Sequence, residues 1–516
     1  MKQTLLSLFL ALLPLVASAD PVEIDSIYYN LVSNAKVAQV TSSPNSYSGA
    51  LDIPGKVVYN NVTYTVINIA SSAFYGCSGL TSITIPTSVT TIGSSAFYGC
   101  SGLTSIIIPN AVTTIGSSAF YGCSGLTSII IPNAVTSINS STFYGCRGLT
   151  SITIGNSVKS IGSSAFYGCS GLTSFNVPSS VTSIAVDAFR GCSNLSSIIV
   201  ENSNTVYDSR DNCNAIIKKA TNELIIGCKS TVIPNTVVSI GSEAFYGCSG
   251  LISITIPGSV TSIAVNAFCG CSNLSSIIVD GDNTVYDSRD NCNAIINSAT
   301  NELVIGCKNT VIPNTVTSIG DSAFYKSSIS GEQHIPGNVK SIGDYAFNGC
   351  TQLTAVVLEE GVEEVGWHTF SGPIRLLSLP TSLTYMSSMA IDPYVSSSSG
   401  IFTPEGDLYV RVYATTPAYI NDFAFYYVFG DGHLVVTQGC KDAYKNVKAW
   451  SHFGEYLEVG DVNGDGKLNV ADVATLIAYV TDQEPKRFIA AAADVNSDGR
   501  IDEDDIACLA HSLIDE

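Results

Sequence analysis

The 516-residue chain is poor in charged side chains, and the charge it carries is mainly acidic. Between residues 70 and 200 the only charged side chains are Arg147, Lys159, Asp187 and Arg190. The whole chain has 23 basic and 43 acidic residues, which gives a net charge of −20. Binding of nucleic acid needs a basic surface that faces the phosphates, so this composition excludes a nucleic-acid partner.

Catalytic sequence signatures are also missing. The chain has five histidines and contains neither a G-x-S-x-G nor an H-E-x-x-H sequence. An active site needs unlike side chains that converge at one place. This chain instead offers the same few side chains many times over, in near-identical repeats. We therefore predict that the protein is not an enzyme.

Long apolar runs are absent except at the N-terminus, where residues 5–16 follow the basic Lys2. The run is too short to cross a bilayer comfortably, which disfavours the alternative of a membrane anchor. Ala17, Ser18 and Ala19 then form a small-x-small cleavage site before Asp20. We predict a signal peptide over residues 1–19, no transmembrane segment, and a secreted, extracellular protein whose attachment to a cell surface is left open.

A 23-residue unit dominates the remaining sequence. Residues 81–103 read TSITIPTSVTTIGSSAFYGCSGL, and close copies follow at 104–126, 127–149, 150–172 and 173–195. A fixed period of 20–29 residues is typical of a leucine-rich-repeat solenoid. One unit cannot bury its own apolar residues, so neighbouring units must stack and share a continuous core.

Each unit predicts the same local structure. The alternating TSITI segment is a strand that ends at Pro86, because proline cannot donate to a strand ladder. A second short extended piece covers residues 89–92, and SSAFYG forms a single helical turn closed by Gly99. The predicted fold class is therefore a repeat solenoid, mostly β with short helical turns, followed by a small α-helical domain.

Two longer segments interrupt the period. Residues near 201–233 return 79 positions later, near 280–312, and both are predicted to be hairpin inserts within the repeats. Cys213 with Cys228, and Cys292 with Cys307, flank these hairpins, and a disulfide in each pair is left open. The nine cysteines of the repeated Gly-Cys pairs are predicted to be buried thiols that act as small apolar residues.

The repeated pattern AF-x-GC-x-x-L-x-x-I-x-I-P-x-x-V-x-x-I resembles the BspA-type leucine-rich repeat of secreted and surface bacterial proteins. On this basis we expect an N-terminal β cap over residues 20–69, repeats over 70–391 and a C-terminal cap over 392–455. The resemblance also implies adhesion, since BspA-like proteins are associated with binding host matrix proteins and other bacteria.

The last part of the chain carries two calcium-type loops 33 residues apart. Each loop places oxygen ligands at positions 1, 3, 5, 9 and 12, a backbone carbonyl at position 7 and glycine at position 6. The predicted ligands for two Ca²⁺ ions are Asp461, Asn463, Asp465, Lys467, Asn469 and Asp472 in the first loop, and Asp494, Asn496, Asp498, Arg500, Asp502 and Asp505 in the second.

Aspartate at position 12 and the loop-helix layout resemble a type I dockerin over residues 456–516. The resemblance implies a cohesin-type module as partner, contacted by loop positions 10 and 11 and the following helix. Those positions hold Val470, Ala471, Ala478 and Tyr479 in the first half and Glu503, Asp504, His511 and Ser512 in the second. Because the halves are unlike, the apolar first half is the favoured contact. A calcium-stabilised end module without a cohesin partner is the alternative.

Three functions follow from these features. The favoured one is an exported binding or adhesion protein whose solenoid recognises an extracellular protein or glycan, with tyrosines of the FYGC segments as candidate contacts. The second is a component of a polysaccharide-degrading assembly, since dockerins usually serve such complexes. The third is a structural spacer without a ligand.

Overall fold

Parallel pairing at the repeat period dominates the fold, in a computed structural model that describes residues 20–392, 395–397, 400–402, 407–426, 428 and 432–514. The predicted signal peptide lies outside the described residues. The chain divides into two units, Met1–Leu251 and Ile252–Glu516. Among the described residues, none of the helices combines the length and apolar content needed to cross a membrane.

Among the residues described from 20 to 251, the first unit holds 21 strands, most of them short. They are β1 Val22–Ile24, β2 Ile27–Val32, β3 Val37–Val40, β4 Gly49–Asp52, β5 Lys56–Tyr59, β6 Val62–Ile69, β7 Leu80–Thr84, β8 Thr91–Ile92, β9 Ser105–Ile106, β10 Thr114–Ile115, β11 Ser128–Ile130, β12 Ser137–Ile138, β13 Ser151–Thr153, β14 Ser160–Ile161, β15 Ser174–Val177, β16 Ser183–Ile184, β17 Ser197–Val200, β18 Tyr207–Asp208, β19 Ile216–Lys218, β20 Glu223–Ile226 and β21 Ser239–Ile240.

Equivalent positions of successive units pair in parallel. Ser82 of β7 lies opposite Ser105 of β9, and Ser128 of β11 lies opposite Ser151 of β13, each one period of 23 residues apart. The N-terminal segment differs, because β1, β2 and β3 pair antiparallel before β3 joins β6 in parallel. The predicted solenoid is thus confirmed.

The SSAFYG segments are hydrogen-bonded turns, which corrects the prediction of a helical turn. Ser95 has a φ of +54°, and the N–H groups of Ser95 and Phe97 donate to the carbonyls of Ser117 and Ala119 at 2.9 and 2.7 Å. An α-helix would direct these N–H groups along its own axis. Here they point to the next unit, so the turns form a ladder of their own.

The core repeats the same contacts from unit to unit. Phe74, Phe97, Phe120, Phe143 and Phe166 stack with centroids 5.0–5.5 Å apart. Beside them, the thiols of Cys100, Cys123, Cys146, Cys169 and Cys192 each donate to the phenylalanine carbonyl 26 residues earlier, at 3.1–3.2 Å. Burial raises the pKa of Cys100 to about 12, so the thiol stays protonated and inert.

All sixteen cysteines are free thiols, including Cys213 with Cys228 and Cys292 with Cys307, where the sequence alone allows a disulfide. Cys228 donates instead to the carbonyl of Asn214 at 3.2 Å. The inserts are hairpins, with β19 antiparallel to β20, and β26 antiparallel to β27 in the second copy. Within each insert an arginine pairs with an aspartate: Arg210 with Asp208 at 2.8 Å, and Arg289 with Asp287 at 2.5 Å.

The second unit continues the same architecture. Its strands are β22 Ser253–Ile256, β23 Ser262–Ile263, β24 Ser276–Val279, β25 Tyr286–Asp287, β26 Ile295–Asn297, β27 Glu302–Ile305, β28 Ser318–Ile319, β29 Ser330–Ile335, β30 Ser341–Ile342, β31 Phe347–Asn348, β32 Gln352–Leu358, β33 Glu364–Val365, β34 Phe370–Ser371, β35 Leu376–Leu379, β36 Tyr385–Met386, β37 Ile391–Asp392, β38 Val395–Ser397, β39 Gly400–Phe402, β40 Leu408–Val412, β41 Gly432–Val436 and β42 Glu455–Glu458.

The parallel ladder runs on through the segment expected to form the C-terminal cap. Strands β29, β32, β35, β40, β41 and β42 form one sheet, and each adjacent pair is parallel. The segment 441–450 contains a helix α1, Lys441–Lys445, and a 3₁₀ helix, Lys448–Trp450. Further 3₁₀ helices cover Arg210–Asn212 and Arg289–Asn291. Tyr444 and Trp450 are buried, whereas Val447 between the helices is exposed.

Candidate functional site

The C-terminal module is built from three helices, α2 Val470–Val480, α3 Ala490–Ala493 and α4 Glu503–Ser512. Both longer helices begin with a capping box, which Asn469 forms with Asp472 and Asp502 forms with Asp505. The predicted ligands at positions 9 and 12 therefore also fix the start of each helix. Val462, Leu476, Ala493 and Leu509 form the core between the two halves.

The first loop closes around the carboxylate of Asp461, which is 1% exposed. Its two oxygens accept from the N–H groups of Asp465 and Gly466 at 3.1 and 3.0 Å. The φ of Gly466 is +81°, a conformation that favours glycine at the loop's turn. Asp472, fully buried, accepts from Asn463 N–H at 3.1 Å, so the first and last ligand positions hold the same loop.

The second loop repeats this geometry. Asp494 accepts from Asp498 N–H at 3.1 Å, and Gly499 has a φ of +83°. Asp505 is fully buried and accepts from the N–H groups of Val495 and Asn496 at 2.7 and 3.0 Å. The predicted position-7 residues, Lys467 and Arg500, both have exposed side chains, which suits a role through the backbone carbonyl.

Burial of these carboxylates creates an electrostatic demand for a cation. Burial, together with the charge of Asp472, raises the pKa of Asp461. Burial also raises the pKa of Asp494, although Arg411 acts in the opposite direction. Aspartate, amide and carbonyl oxygens are the ligands that Ca²⁺ prefers, so the residues present fit this ion. In the part of the chain that the structure describes, no three His, Cys, Asp or Glu side chains are arranged so that they alone could hold a metal ion.

Two arginines that the sequence did not single out contact the loops. Arg411, on strand β40, lies 3.2 Å from an oxygen of Asp494 and also bonds to Ser497. Arg487 donates to the carbonyl of Gly464 in the first loop at 2.6 Å and lies 3.6 Å from Glu455. Neither arginine belongs to a repeated pattern, and Arg411 is 83 residues away from its partner, so no sequence signal pointed to them.

The outer faces of the two long helices differ. Val470 is 74% exposed, Ala471 and Tyr479 are exposed, and Ala478 is half-buried. At the matching positions of the second half, Glu503, Asp504 and His511 are exposed and Ser512 is half-buried. The first half thus presents an apolar surface and the second a polar one. This surface of α2, formed by Val470, Ala471, Ala478 and Tyr479, is here called the apolar helix face.

The solenoid carries a second candidate site, a row of stacked tyrosines here called the tyrosine ladder. Neighbouring rings are 4.4–4.6 Å apart and within 10° of parallel: Tyr75, Tyr98, Tyr121, Tyr144 and Tyr167. Burial and the neighbouring hydroxyls raise the pKa of Tyr121 to about 12. Arg190 takes the tyrosine position of the next unit and lies over the rings of Tyr167 and Tyr246, at 5.9 and 3.4 Å.

The fold and module together define a leucine-rich-repeat solenoid with a C-terminal calcium-type module. The model of the BspA type leucine rich repeat region matches residues 56–146, 113–223, 214–301 and 294–399, so the chain belongs to this family. The dockerin type I domain model matches residues 459–514. Both predicted resemblances are confirmed. Comparison with curated proteins gives no match.

Several solved structures are similar to this chain. A leucine rich cell surface protein from Faecalibacterium prausnitzii is 26% identical, with 74% of this chain and 96% of that chain covered and a TM-score of 0.47. A leucine-rich repeat protein from Bacteroides ovatus is 25% identical, with 71% and 96% covered and a TM-score of 0.41. The pneumococcal vaccine antigen PcpA is 19% identical, with 85% and 98% covered and a TM-score of 0.46.

Proposed function

We propose that this protein is an exported, non-catalytic binding protein. Its solenoid recognises an extracellular ligand, and its dockerin-type module binds two Ca²⁺ ions and attaches the chain to a cohesin-bearing scaffold or surface. The observation that carries the binding role is the tyrosine ladder, which offers the same contact in five successive units. Equivalent contacts at fixed spacing suit a multivalent ligand.

The geometry of the ladder favours a protein ligand over a glycan. Sugar rings bind aromatic side chains mainly through the flat ring face, but within the ladder each face is already covered by the next tyrosine. Tyr75 at the end of the row is 56% exposed, and the other four tyrosines of the ladder are half-buried. Because neighbouring rings cover the faces, the exposed part of an inner ring is its edge with the hydroxyl group. Edges and hydroxyls contact peptide groups and apolar side chains well.

A binding assay on ladder variants tests this role. Serine at the five ladder positions should abolish capture of the matrix proteins fibronectin or fibrinogen, whereas phenylalanine keeps the stack and isolates the contribution of the hydroxyls. A matched control replaces Ile107 and Ile130 by serine, since both are well exposed at another position of the same units. Capture that survives the five serines, or binding only to a glycan array, would contradict a protein-binding ladder.

The attachment role is supported by the apolar helix face. An exposed apolar surface beside a calcium-type loop is the kind of surface that buries against a partner. A Val470→Glu change should abolish calcium-dependent binding of a purified cohesin module, and Glu503→Gln at the matching position of the second half should leave it unchanged. Equal loss in both variants, or no binding by the parent chain, would contradict this assignment.

The second candidate function, membership in a polysaccharide-degrading assembly, is favoured by the dockerin match itself. It uses the same module and differs in the ligand of the solenoid. Binding of the parent chain to polysaccharide, lost in the ladder variants, would favour this alternative over adhesion.

A further inference from the structure

We propose that the second calcium loop forms a contact between the C-terminal module and the solenoid, here called the joint. In the joint, Arg411 of the solenoid binds Asp494 and Ser497 of the loop, so that calcium in this loop stabilises the last solenoid turns. This inference rests on the calcium-binding part of the proposed function. It concerns how the module is fixed to the rest of its unit, which the dockerin resemblance does not address.

The first argument is the position of Arg411. It lies in the central part of the C-terminal sheet, on β40, where it is opposite Ser378 of β35 and Val435 of β41. Its side chain is 3% exposed and packs 4.7 Å from the ring of Tyr413. A buried arginine on a sheet needs a fixed anionic partner, because an unpaired charge there would be strongly destabilising.

That partner is the second loop. The guanidinium lies 3.2 Å from Asp494 Oδ2 and 3.2 Å from Ser497 Oγ, and it also donates to the backbone carbonyl of Asp494. The other oxygen, Oδ1, accepts from Asp498 N–H and remains with the loop. Arg411 therefore binds one carboxylate oxygen of the position-1 ligand and, through a second hydrogen bond, the backbone of the loop.

The two loops differ in the number of their carboxylate ligands. The first loop has three predicted aspartate ligands, whereas the second has four: Asp494, Asp498, Asp502 and Asp505. The positive charge of Arg411 offsets the additional carboxylate of the second loop. Calcium affinity depends on that charge and on the rigidity of the site, and Arg411 contributes to both.

An apolar contact surrounds the joint. Ile489, Ala491 and Ala492 of the module pack against Val435 and Leu457 of the sheet. The N–H of Gly460 donates to the carbonyl of Ala492 at 2.9 Å, which joins the end of β42 to helix α3. Ordering of the second loop by calcium therefore acts on a surface that is already shared with the sheet.

The first loop has a weaker link. Arg487 contacts Gly464 and Glu455, but its side chain is 52% exposed. An ion pair at such a site contributes little, because water and salt screen it. Arg487 is thus the matched control for Arg411: the same residue type, the same kind of loop and a different burial.

The chain provides its own reporter for the experiment. Its two tryptophans, Trp367 and Trp450, lie in the C-terminal solenoid region and outside the calcium module. Trp450 is buried and its indole N–H donates to the carbonyl of Ala418 at 3.2 Å. Thermal unfolding followed by tryptophan fluorescence therefore reports on the solenoid end, and isothermal calorimetry counts the bound calcium ions.

We expect the unfolding temperature of residues 20–516 to rise with calcium by about 5–10 °C at a hundredfold excess over the Kd. Asp498→Asn, at position 5 of the second loop, should remove this rise, and the matching Asp465→Asn in the first loop should keep most of it. Arg411→Met should lose most of the rise while calorimetry still detects two ions. Arg487→Met should behave like the parent.

Several results would overturn the joint. Equal losses in Asp465→Asn and Asp498→Asn would show that the loops act without a preferred link to the sheet. A full calcium-dependent rise in the unfolding temperature of folded Arg411→Met would exclude the proposed role of Arg411. Binding of one calcium ion by the parent and of two by this variant would show that Arg411 takes the place of an ion in the second loop. If Arg411→Met does not fold, the paired loop variants still decide. An absence of any calcium heat would reject the calcium sites along with the joint.

Discussion

Replacing one phenylalanine of the core stack should weaken the solenoid locally and strongly. Phe120 is fully buried, with Phe97 and Phe143 on its two sides at 5.3 and 5.5 Å. Phe→Ala in a packed core costs about 3–5 kcal/mol in transfer and cavity terms. Two stacked ring pairs, each worth about 0.5–1.5 kcal/mol, are lost at the same time. We therefore expect Phe120→Ala to lower the free energy of unfolding by about 4–5 kcal/mol.

Native-state hydrogen exchange is the appropriate assay, because a repeat array does not unfold in a single two-state step. A loss of about 4 kcal/mol corresponds to a roughly thousandfold decrease in protection. Since each unit contacts mainly its neighbours, the decrease should be confined to residues 81–149 and leave the second unit protected.

The control lies in the same repeat unit. Ile107 is 83% exposed, and Ile107→Ala should change protection by less than about 0.5 kcal/mol. The reasoning is refuted if Phe120→Ala loses less than about 1 kcal/mol, or if the loss of protection spreads evenly over both units. The first outcome would mean that the stack relaxes around the gap, and the second that the units do not act as nearest neighbours.

Three further predictions concern the cysteines and the end of the tyrosine ladder. Iodoacetamide at pH 8 should modify the exposed Cys508 rapidly and leave the buried thiols of the repeats unmodified. Reduction should not change the mass of the protein, because all cysteines are free, and mass spectrometry of the intact protein checks both results. The free energy of unfolding should fall between about pH 9 and pH 12, because burial raises the pKa of Cys100 from its ordinary 9.0 to about 12 and only the unfolded thiol ionises in that range. In urea titrations at pH 8 and pH 11, Cys100→Ala should show a smaller difference between the two pH values than the parent. Arg190→Ala should destabilise the units around residues 167–246 by about 1 kcal/mol through loss of its half-buried contact with the ring of Tyr246, and hydrogen exchange that stays unchanged there would contradict it.

Much of the fold could be predicted from the sequence, because the same 23-residue pattern occurs in many successive units. The 23-residue period fixed the parallel register, and the buried phenylalanines and cysteines were the positions that each unit repeats. The turn at SSAFYG was assigned wrongly for a physical reason. A single unit does not contain the carbonyls to which Ser95 and Phe97 donate, since these lie on the following unit.

The candidate site shows the same division between local and distant information. The calcium-type loops are local, so spacing and residue type placed Asp461 and Asp494 at equivalent buried positions. The unlike outer surfaces of α2 and α4 were also visible in the sequence. Arg411 was not, because its role depends on a strand 83 residues before Asp494. If this contact is a joint, the two halves of the module have separate tasks: the second loop binds the solenoid, and the apolar helix face of the first remains available to a partner.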